Sequence, residues 1–581
     1  MAYVIDQWNC SGCHRCRMEC PADAIRFKND KYWIDPEKCV SCGSCQQVCH
    51  NGAISNPDIE QKKPAAHATI TMDCDLCVIG AGGAGMVAAA KAQDLGAKVI
   101  VLEKNHEIGG SAYYATGFGV HYSKLHQEAG KPDGREQLYQ QFLNKVEGYD
   151  VDAELLKRLF DANADWIDWM IDQHNFRDLY EYNPKGFGPM CLKKKVAPEW
   201  NDRRIDAMIG PGGGGWLIPT RLYEDLVAGG GTVLCNTPAK ALLTDETGAV
   251  AGVLAEDLGG TVQINCKAVI VASGAFSRNR EIMDKMQPLF YDDKGKQPVH
   301  IFTCSTCTGD GITMCEEIGA DIDYVNRRVN MFGPMRHPYP GVTLNIGNGP
   351  MFRTNGERYP MGFSMTEVSD LAYEPKRYVW KIVDDANAKA NIEAKIAQGR
   401  DDNGVDLSWF LKDWRNILQQ EADAGSVVIA NSITELGSKL DFDPVRFAAE
   451  IEAYNQDLLT PKKPKLPVMN LGEEKPEGEM LPMMMGAPPQ PISKGPFYAI
   501  KMTMFHENSM GGMVIDRNTS VLKNGTPIPG LYASGDTTRG VMVPGDIGVQ
   551  YIEGIFTALT YAFNSGYISG TEAAAYVKDH K

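Results

Sequence analysis

No stretch of this sequence reaches the roughly 20 consecutive apolar residues that a membrane-spanning helix requires. Basic residues are also scarce relative to acidic ones: there are 58 Lys and Arg against 74 Asp and Glu, and the formal net charge is -16. Nucleic acids and anionic membranes attract basic surfaces, so this balance argues against both. We therefore expect no membrane span and no nucleic-acid partner.

The sequence also predicts no secretory leader. Residues 1–8 (Met-Ala-Tyr-Val-Ile-Asp-Gln-Trp) contain neither a basic stretch nor an apolar h-region. The eight cysteines beyond residue 50 show no disulfide framework. We therefore expect a protein of a reducing compartment, the cytoplasm. Among these cysteines, Cys74 and Cys77 open an apolar strand and predict small buried side chains, whereas Cys304 and Cys307 precede a glycine turn and are more open to a redox role.

The other eight of the sixteen cysteines lie in the first fifty residues and repeat one spacing, C-x2-C-x2-C-x3-C. A cubane iron–sulfur cluster needs four converging thiolates, and in the bacterial ferredoxin pattern the fourth cysteine of each run ligates the other cluster. We therefore predict two [4Fe-4S] clusters, one held by Cys10, Cys13, Cys16 and Cys49 and the other by Cys39, Cys42, Cys45 and Cys20. Zinc sites or disulfides are the alternative, but zinc sites separate their C-x2-C pairs by a longer gap.

A glycine-rich turn follows an apolar strand pattern at residues 80–85. An Ala-rich helix comes next, and Glu103 closes the following strand about twenty residues on. Gly80 allows the tight turn, Gly82 lets the backbone approach a pyrophosphate at the helix N-terminus, and Gly85 permits close packing of helix and strand. Glu103 is placed to accept a hydrogen bond from a ribose hydroxyl. The pattern predicts a dinucleotide site, and a glycine-rich packing turn is the alternative.

A second glycine-rich loop, residues 109–117, indicates which dinucleotide binds. Such a loop carries a long cofactor from its phosphates toward its ring, and NAD does not need it, so we predict FAD. The loop has no His before His121, which favours noncovalent binding. Two later strands, ending at Gly274 and Asp536, return the chain to the cofactor, and a helix beginning near Gly548 would point its N-terminal dipole at the flavin. The predicted cofactor-binding residues are Gly80, Gly82, Gly83, Gly85, Glu103, Lys104, Gly109, Gly110, Ser111, Gly117, Ala239, Ala272, Ser273, Gly274, Asp310, Gly535, Asp536 and Val549.

The length of 581 residues exceeds what one hydrophobic core supports, so several domains are expected. The predicted fold class is α/β, a Rossmann-like FAD-binding domain with an α+β capping domain, plus a small α+β ferredoxin-like domain at the N-terminus. Residues 433–458 have an apolar period near 3.6 and predict helix. The predicted division is 1–58 ferredoxin domain, 59–71 linker, 72–278 first segment of the FAD-binding domain, 279–430 capping domain, and 431–581 helical return and second segment of the FAD-binding domain.

Taken together, the motifs at Gly80–Gly85, Glu103-Lys104, Gly109-Gly110-Ser111, Ala272-Ser273-Gly274, Gly309-Asp310-Gly311 and Gly530–Asp536 resemble those of fumarate reductase/succinate dehydrogenase-type flavoproteins. The resemblance covers about residues 72 to 575. It implies an FAD domain and a mobile cap, with the substrate held between them at the flavin N5. Ketosteroid Δ1-dehydrogenases, urocanate reductases and the adenylylsulfate reductase flavoprotein subunit are related members.

The substrate motifs of soluble fumarate reductases do not match. Their C-terminal Asn-Arg, which clamps a carboxylate, corresponds here to the stretch Pro544-Gly545-Asp546. An acid facing a dicarboxylate would repel it in a poorly hydrated site, whereas charge-assisted Arg pairs are strong contacts. Fumarate is therefore an unfavourable substrate. Arg358, which matches the family's Lys-Arg-Phe stretch, is interpreted as a structural arginine that holds the cap.

The candidates for substrate and proton contacts are His506, Asp546, His121 and Tyr122. A His or Tyr beside a carbonyl can polarise it or supply the proton that accompanies hydride transfer. His506 precedes the Met510-Gly-Gly motif, near the substrate-facing position of the relatives. Satisfaction of each side chain by structural hydrogen bonds is the alternative.

Two clusters joined to a flavin indicate that electrons arrive singly and are paired before they leave as hydride. The leading hypothesis is a reductase of an activated C=C bond, an enone or enoate, in an anaerobe, supplied by a low-potential donor such as ferredoxin. One alternative is a dehydrogenase that desaturates a ketone-activated, steroid-like substrate and exports electrons through the clusters. Another is an electron-transfer subunit that relays electrons to a partner protein, and sulfur-centred chemistry remains as a further option. The sequence leaves the oligomeric state open, homo-oligomer included.

Overall fold

The computed structural model describes most of the chain in separate stretches. These are residues 2–6, 10, 15–18, 20–28, 31–47, 49, 52–58, 66–114, 118–148, 151–187, 190–194, 215, 217–286, 300–301, 304–334, 349–359, 378–397, 414–423, 425–459, 490–541 and 558–580.

The described strands, in chain order, are β1 (Val4–Ile5), β2 (Ile25–Lys28), β3 (Lys31–Ile34), β4 (Ile54–Ser55), β5 (Ile70–Asp73), β6 (Leu76–Ile79), β7 (Val99–Leu102), β8 (Tyr180–Phe187), β9 (Met190–Lys194), β10 (Thr232–Leu234), β11 (Ala239–Thr244), β12 (Val250–Glu256), β13 (Thr261–Asn265), β14 (Ala268–Val271), β15 (His300–Ile301), β16 (Ile322–Pro334), β17 (Met351–Phe352), β18 (Tyr378–Asp384), β19 (Val427–Ala430), β20 (Phe497–Met513), β21 (Ser520–Lys523) and β22 (Thr526–Ala533).

The described α-helices are α1 (Arg15–Met18), α2 (Ser44–Gln47), α3 (Gly83–Asp94), α4 (Lys124–Glu128), α5 (Arg135–Val146), α6 (Ala153–Gln173), α7 (Phe176–Leu179), α8 (Leu217–Ala228), α9 (Arg280–Met286), α10 (Asp310–Glu317), α11 (Asp385–Ala397), α12 (Trp414–Asp423), α13 (Ile433–Lys439), α14 (Pro444–Leu459) and α15 (Ala558–Asp579). Short 3₁₀ turns lie at Gly110–Tyr114 and Gly535–Thr537.

A six-stranded sheet in the order β10-β7-β6-β14-β22-β21 forms the centre of the larger domain. Its pairs are parallel except β21–β22. Every residue of β6, β7 and β14 is buried, as expected for parallel strands covered on both faces. Cys77 and Ile79 point into one core and Leu76 and Val78 into the other, because successive side chains of a strand alternate between faces.

Helices α3 and α15 cover one face of this sheet in close contact. Gly566 and Gly570 of α15 lie against the backbone of α3, since a Cβ at either glycine would come within 2.4 Å of the carbonyl oxygen of Ala84 or Ala88. The other face carries the four-stranded sheet β11-β12-β13-β5. The result is a layered arrangement of helices, parallel sheet and second sheet.

The connector from the N-terminal domain is fixed on this second sheet. Strand β5 pairs in parallel with β13, and the Nε2 atom of His67 lies 2.7 Å from Oδ1 of Asp257. The backbone N–H of His67 also donates to the carbonyl oxygen of Gly259 at 3.1 Å. The chain therefore enters the larger domain at a defined edge.

Strand β20 organises the second large unit: it pairs with β15, β16, β18 and β19, and β17 pairs with β18. Helices α13 and α14 share one hydrophobic core with β17, β18 and β19. The sequence predicts one helical stretch over residues 433–458, whereas the structure has two helices, because Asp441 adopts a left-handed conformation between them. Arg358 holds α14 through contacts with Glu450 (3.3 Å) and Asp457 (2.8 Å), which agrees with its interpretation as a structural residue.

Some elements pack with a different unit from the one to which the sequence prediction assigns them. Residues 431–459 pack with the strands of the cap, and Met314 and Cys315 of α10, within the stretch 279–430, lie in a core of the larger domain. The reason is the path of the chain: β20 still belongs to the sheet of the cap, and the chain re-enters the central sheet only at β21 and β22. The domain limits themselves stay a prediction.

The N-terminal unit is small and has an internal two-fold pattern. Strands β1 and β4 pair, and so do β2 and β3, around a core that includes Tyr3, Ile25 and Tyr32. The backbone N–H of Ala24 donates to Sγ of Cys20 and that of Ala53 to Sγ of Cys49, both at 3.2 Å. The matching bonds reflect the repeated sequence. Of the helices described, none has the length and hydropathy needed to cross a bilayer.

Candidate functional site

A cavity opens at the carboxyl ends of the central strands. This is where α/β sheets bind their ligands, because the loops after neighbouring parallel strands meet at that edge. The predicted cofactor residues in its wall are Gly80, Gly82, Gly83, Glu103, Lys104, Gly110, Ser111, Ala239, Ala272, Ser273, Gly274, Asp310, Gly535 and Asp536. Gly85 and Gly109 lie behind the wall, and Gly117 and Val549 fall outside the described residues.

The glycine turn has the geometry that the sequence predicts. Gly80 has a φ of +106°, and a Cβ there would lie 2.4 Å from the carbonyl oxygen of Ala272. A Cβ at Gly85 would lie 1.8 Å from the carbonyl oxygen of Gly80, so helix and turn are in direct backbone contact. Gly82 caps α3 without a side-chain hydrogen bond, and a Cβ there would meet nothing within 4 Å. The first N–H groups of α3 are thus available to an anion in the cavity.

Glu103 is buried and held by the backbone. Its Oε2 accepts a hydrogen bond from the N–H of Ala81 at 2.8 Å, and its Oε1 accepts one from the N–H of Asn105 at 2.7 Å. An ionised carboxylate has about four acceptor sites, and this one belongs to the cavity wall, where it is suited to accept from a ribose hydroxyl.

Lys104 and Asp310 come together although 206 residues separate them in the sequence. The Nζ of Lys104 donates to Oδ2 of Asp310 at 2.8 Å and also donates to the hydroxyl of Thr308. Thr308 in turn donates to Oδ1 of Asp310 at 2.6 Å. These hydrogen bonds connect the loop before α10 to the residues that follow β7, beside the cavity.

Ser534 is a wall residue that the sequence reasoning missed. Its side chain is fully buried, and within the described part of the chain its Oγ has no hydrogen-bond partner. Buried hydroxyls are normally satisfied, so this one is suited to a polar group of a ligand. Its position directly before Gly535-Asp536 is the signal that could have identified it. With the open N-terminus of α3 and the Glu103 carboxylate, it makes the cavity fit a dinucleotide such as FAD.

Cys304 and Cys307 were also missing from the predicted cofactor residues, yet both line the cavity. Sγ of Cys307 lies 3.3 Å from Oγ of Ser111, in the second glycine loop. Their C-x2-C spacing is the signal that was present in the sequence.

The predicted catalytic residues are not brought together in the described part of the chain. His121 lies between α3 and α4, stacks on Phe160 with 4.0 Å between ring centroids, and is absent from the cavity wall. Burial lowers its pKa to about 3, so its ring is neutral at pH 7. Tyr122 is also absent from the wall, and its hydroxyl donates to the carbonyl oxygen of Lys131 at 3.0 Å.

The backbone of His506 lies on β20, where it pairs with Ile301 and Asn330. The register therefore places the backbone of His506 beside that of Asn330 in β16. The side chain of His506, and all of Asp546, fall outside the described residues.

Four cysteines of the N-terminal domain line a single smaller cavity: Cys20, Cys39, Cys42 and Cys45. This set is the one predicted for the second cluster, including the crossover ligand Cys20. Cys10, Cys16 and Cys49 pack against the same domain core, and Cys13 lies outside the described residues. In the described stretches no three His, Cys, Asp or Glu side chains are placed to hold a single metal ion. A cubane takes one thiolate at each of four irons, which is the number of thiols that meet at this cavity.

Comparison with known proteins agrees with both sites. A family model described as an FAD binding domain matches residues 75–545, and one described as a 4Fe-4S dicluster domain matches residues 9–53. The chain is 27% identical over 533 residues to a fumarate reductase (cytochrome) of Shewanella frigidimarina, covering 88% of this chain and 78% of that protein. It is 26% identical over 527 residues to vinyl phenol reductase of Lactiplantibacillus plantarum, covering 86% and 96%.

The fold is similar to that of 3-ketosteroid delta1-dehydrogenase from Sterolibacterium denitrificans. The TM-score is 0.65 at 17% identity, over 87% of this chain and 99% of that one. The chain is therefore an FAD-dependent oxidoreductase of the fumarate reductase/succinate dehydrogenase flavoprotein family that acts on CH–CH or C=C bonds and carries an N-terminal 4Fe-4S domain.

Proposed function

We propose that this protein reduces an activated C=C bond of an enone or enoate other than fumarate, with electrons delivered through two [4Fe-4S] clusters. The observation that carries the proposal is the presence, in one chain, of a four-thiol site and a dinucleotide cavity. FAD, when bound, converts single electrons into a hydride. Thiolate clusters exchange electrons one at a time, so a low-potential one-electron donor such as ferredoxin is the fitting partner.

The residues of the cavity hold the cofactor without a covalent bond. The N-terminus of α3 would hold the pyrophosphate, Glu103 would accept from a ribose hydroxyl, and Ser534 would offer its buried Oγ to a polar group of the cofactor. The turn at Gly110–Tyr114 offers no histidine for covalent attachment. These contacts position and bury the cofactor.

The substrate carries less negative charge than fumarate. Asp546 stands where soluble fumarate reductases have an arginine for a carboxylate, and an acid there would repel a dicarboxylate. The relative named vinyl phenol reductase supports this choice, since its name denotes a substrate without a carboxylate.

Reduction adds a hydride to one carbon and a proton to its neighbour. His506 and Asp546 are the proposed substrate contacts, with His506 placed by β20 beside the strand that contains Asn330. His121 and Tyr122 were proposed on sequence grounds, and their positions away from the cavity wall favour His506 and Asp546. A group that protonates the substrate must reach within hydrogen-bond distance of the reacting atom.

A dehydrogenase of a ketone-activated substrate is the second candidate. A ketone needs no arginine clamp, so the replacement by Asp546 is equally compatible with desaturation of a steroid-like compound. The likeness to the 3-ketosteroid dehydrogenase supports it at the level of the fold.

An anaerobic reoxidation experiment separates these functions. The purified protein is reduced with a low-potential donor, and flavin and cluster absorbance are followed while enones, enoates, aryl alkenes and fumarate are added. We expect rapid reoxidation by one uncharged or singly charged class and none by fumarate. Fast reoxidation by fumarate would contradict the substrate proposal. Reoxidation only by quinone analogues or carrier proteins would favour the dehydrogenase or an electron relay, and desaturation of a ketosteroid would decide between those two.

A further inference from the structure

Two thiols of the FAD cavity have no role in the function proposed above. Cys304 is 0% and Cys307 is 4% exposed, and both side chains belong to the cavity wall. Cys307 is also close to Gly274, where an added Cβ would lie 3.9 Å from its Sγ. The pair therefore sits between the loop after β14 and the second glycine loop.

A tight turn brings the two cysteines together. The N–H of Cys307 donates to the carbonyl oxygen of Cys304 at 3.1 Å, which is the hydrogen bond of a β-turn. The first and last Cα atoms of such a turn are less than about 7 Å apart. Disulfides join Cα atoms about 4.4–6.8 Å apart, so this backbone can accommodate one.

The two cysteines also connect this turn to the second glycine loop, because both contact the hydroxyl of Ser111. The Oγ of Ser111 accepts a hydrogen bond from the N–H of Cys304 at 3.3 Å and lies 3.3 Å from Sγ of Cys307. Sγ of Cys304 lies 3.0 Å from the hydroxyl of Thr306. A change in the bonding of these sulfur atoms would therefore disturb Ser111, a wall residue of the cofactor cavity.

Burial and the neighbouring Cys304 raise the pKa of Cys307 to about 12, so the thiol is neutral at pH 7. A neutral, buried thiol reacts slowly, because the thiolate is the nucleophile in disulfide exchange. Both cysteines line the cavity, so a bound dinucleotide would cover them. Reactivity should therefore depend on whether the cofactor is present.

We propose that Cys304 and Cys307 form a reversible oxidation site that controls loading of the cofactor. In the cofactor-free protein, the thiolate of one cysteine attacks a low-molecular-weight disulfide R–S–S–R and releases one R–SH. The second cysteine then attacks the mixed disulfide, releases another R–SH, and completes the Cys304–Cys307 bond. The two cysteines are oxidised, the reagent is reduced, and the two thiol protons leave with the two R–SH molecules.

The disulfide draws Sγ of Cys307 toward Cys304 and away from Ser111, so the oxidised protein binds FAD more weakly. Bound FAD, in turn, shields the thiols. The site goes beyond the proposed reductase activity and depends only on the FAD cavity.

The test compares cofactor-free and FAD-loaded full-length protein, incubated anaerobically at mildly alkaline pH with bis(2-hydroxyethyl) disulfide. Peptide mass spectrometry measures the loss of two hydrogens from the peptide that contains residues 304–307, and fluorescence titration measures FAD affinity. We expect the disulfide in the cofactor-free sample only, with FAD affinity lowered about tenfold or more and restored by dithiothreitol.

The variants Cys307→Ser and Cys304→Ser should make FAD affinity insensitive to the reagent. Cys74→Ser is the matched control: Cys74 lies outside the cavity wall, so this variant should respond as the unmodified protein does. All variants retain the cluster cysteines, so damage to the clusters would affect them equally. The proposal is overturned if the disulfide forms at the same rate with FAD bound, forms without changing the affinity, or fails to form in the cofactor-free protein. No substrate enters the assay, so its failure leaves the reductase proposal untouched.

Discussion

Two glycines of the same turn have opposite physical roles. A Cβ at Gly85 would collide with the backbone of Gly80 at 1.8 Å, whereas a Cβ at Gly82 would project into open space at the cavity. Gly85 therefore serves the packing of α3 against the sheet, and Gly82 serves the approach of a ligand.

We predict that Gly85→Ala lowers the free energy of unfolding by roughly 1–3 kcal/mol or more, because a backbone contact cannot relax as a side chain does. Gly82→Ala should change that free energy little and should weaken FAD binding strongly. Denaturant titration of the cofactor-free variants measures the first effect, and fluorescence titration with FAD measures the second. A stable Gly85→Ala variant, or normal FAD affinity in Gly82→Ala, would contradict these assignments.

Three helices of the outer layer meet at one histidine. His174, directly after α6, lies 2.9 Å from Asp94 of α3 and 2.8 Å from Asp225 of α8 through its two ring nitrogens. Asp94 also accepts a hydrogen bond from the indole N–H of Trp169 at 2.8 Å. Burial lowers the pKa of His174, but the two carboxylates outweigh it, and the pKa ends above its ordinary value of 6.5.

This contact makes some of the fold's stability depend on pH. A raised pKa means that protonated His174 stabilises the fold fully below its unfolded pKa, and that this contribution is lost as the pH rises through the folded pKa. We expect the melting temperature to fall as the pH increases from about 6.5 upward. His174→Gln should abolish this slope and cost about 1–3 kcal/mol, since the charge-assisted hydrogen bonds of the buried ring to both carboxylates are lost.

His580→Gln is the matched control, because His580 is exposed at the end of α15. That variant should keep the slope of the unmodified protein. An unchanged pH slope in His174→Gln would show that other groups determine it.

In the molecule as a whole, the described residues that lead into the larger domain are anchored by β5 and by the His67–Asp257 contact. Cys42 is exposed, whereas Cys45 of the same proposed cluster is buried. Loss of one ligand should affect the transfer of electrons into the protein without altering the FAD cavity, whose wall, among the residues that the structure describes, contains none of the cluster cysteines.

We predict that Cys42→Ser removes or converts one cluster, as seen by electron paramagnetic resonance. Turnover with a protein electron donor should fall by more than an order of magnitude, because the path of single electrons is interrupted. Reoxidation of photochemically reduced flavin by the substrate should stay nearly unchanged. Cys74→Ser, which removes a thiol outside the cluster motifs, serves as the control. A parallel loss of both rates would show that the clusters act on the flavin site structurally.

Much of the cofactor site could be predicted because its chemistry is encoded locally. The spacing of Gly80, Gly82 and Gly85 specifies a backbone shape, and Glu103 follows at the end of the next strand, so the site could be derived from a short segment. Ser534, Cys304 and Cys307 were missed because they reach the cavity from segments distant in sequence, and their local signals, the neighbouring Gly535-Asp536 and the C-x2-C spacing, do not by themselves place them at the cofactor. The two-helix form of residues 433–459 was missed because apolar periodicity continues across the break at Asp441.

The order of residues along the chain was enough to specify the cysteine repeat, the dinucleotide turn and the apolar strands, because each depends on spacing within one segment. The three-dimensional fold was needed to pair Lys104 with Asp310 and to bring the backbone of His506 on β20 beside that of Asn330 on β16. These contacts are set by strand order and register across long separations. Burial decided the position of His121, which packs on Phe160 away from the cavity, because a side chain's surroundings depend on what the whole fold places around it.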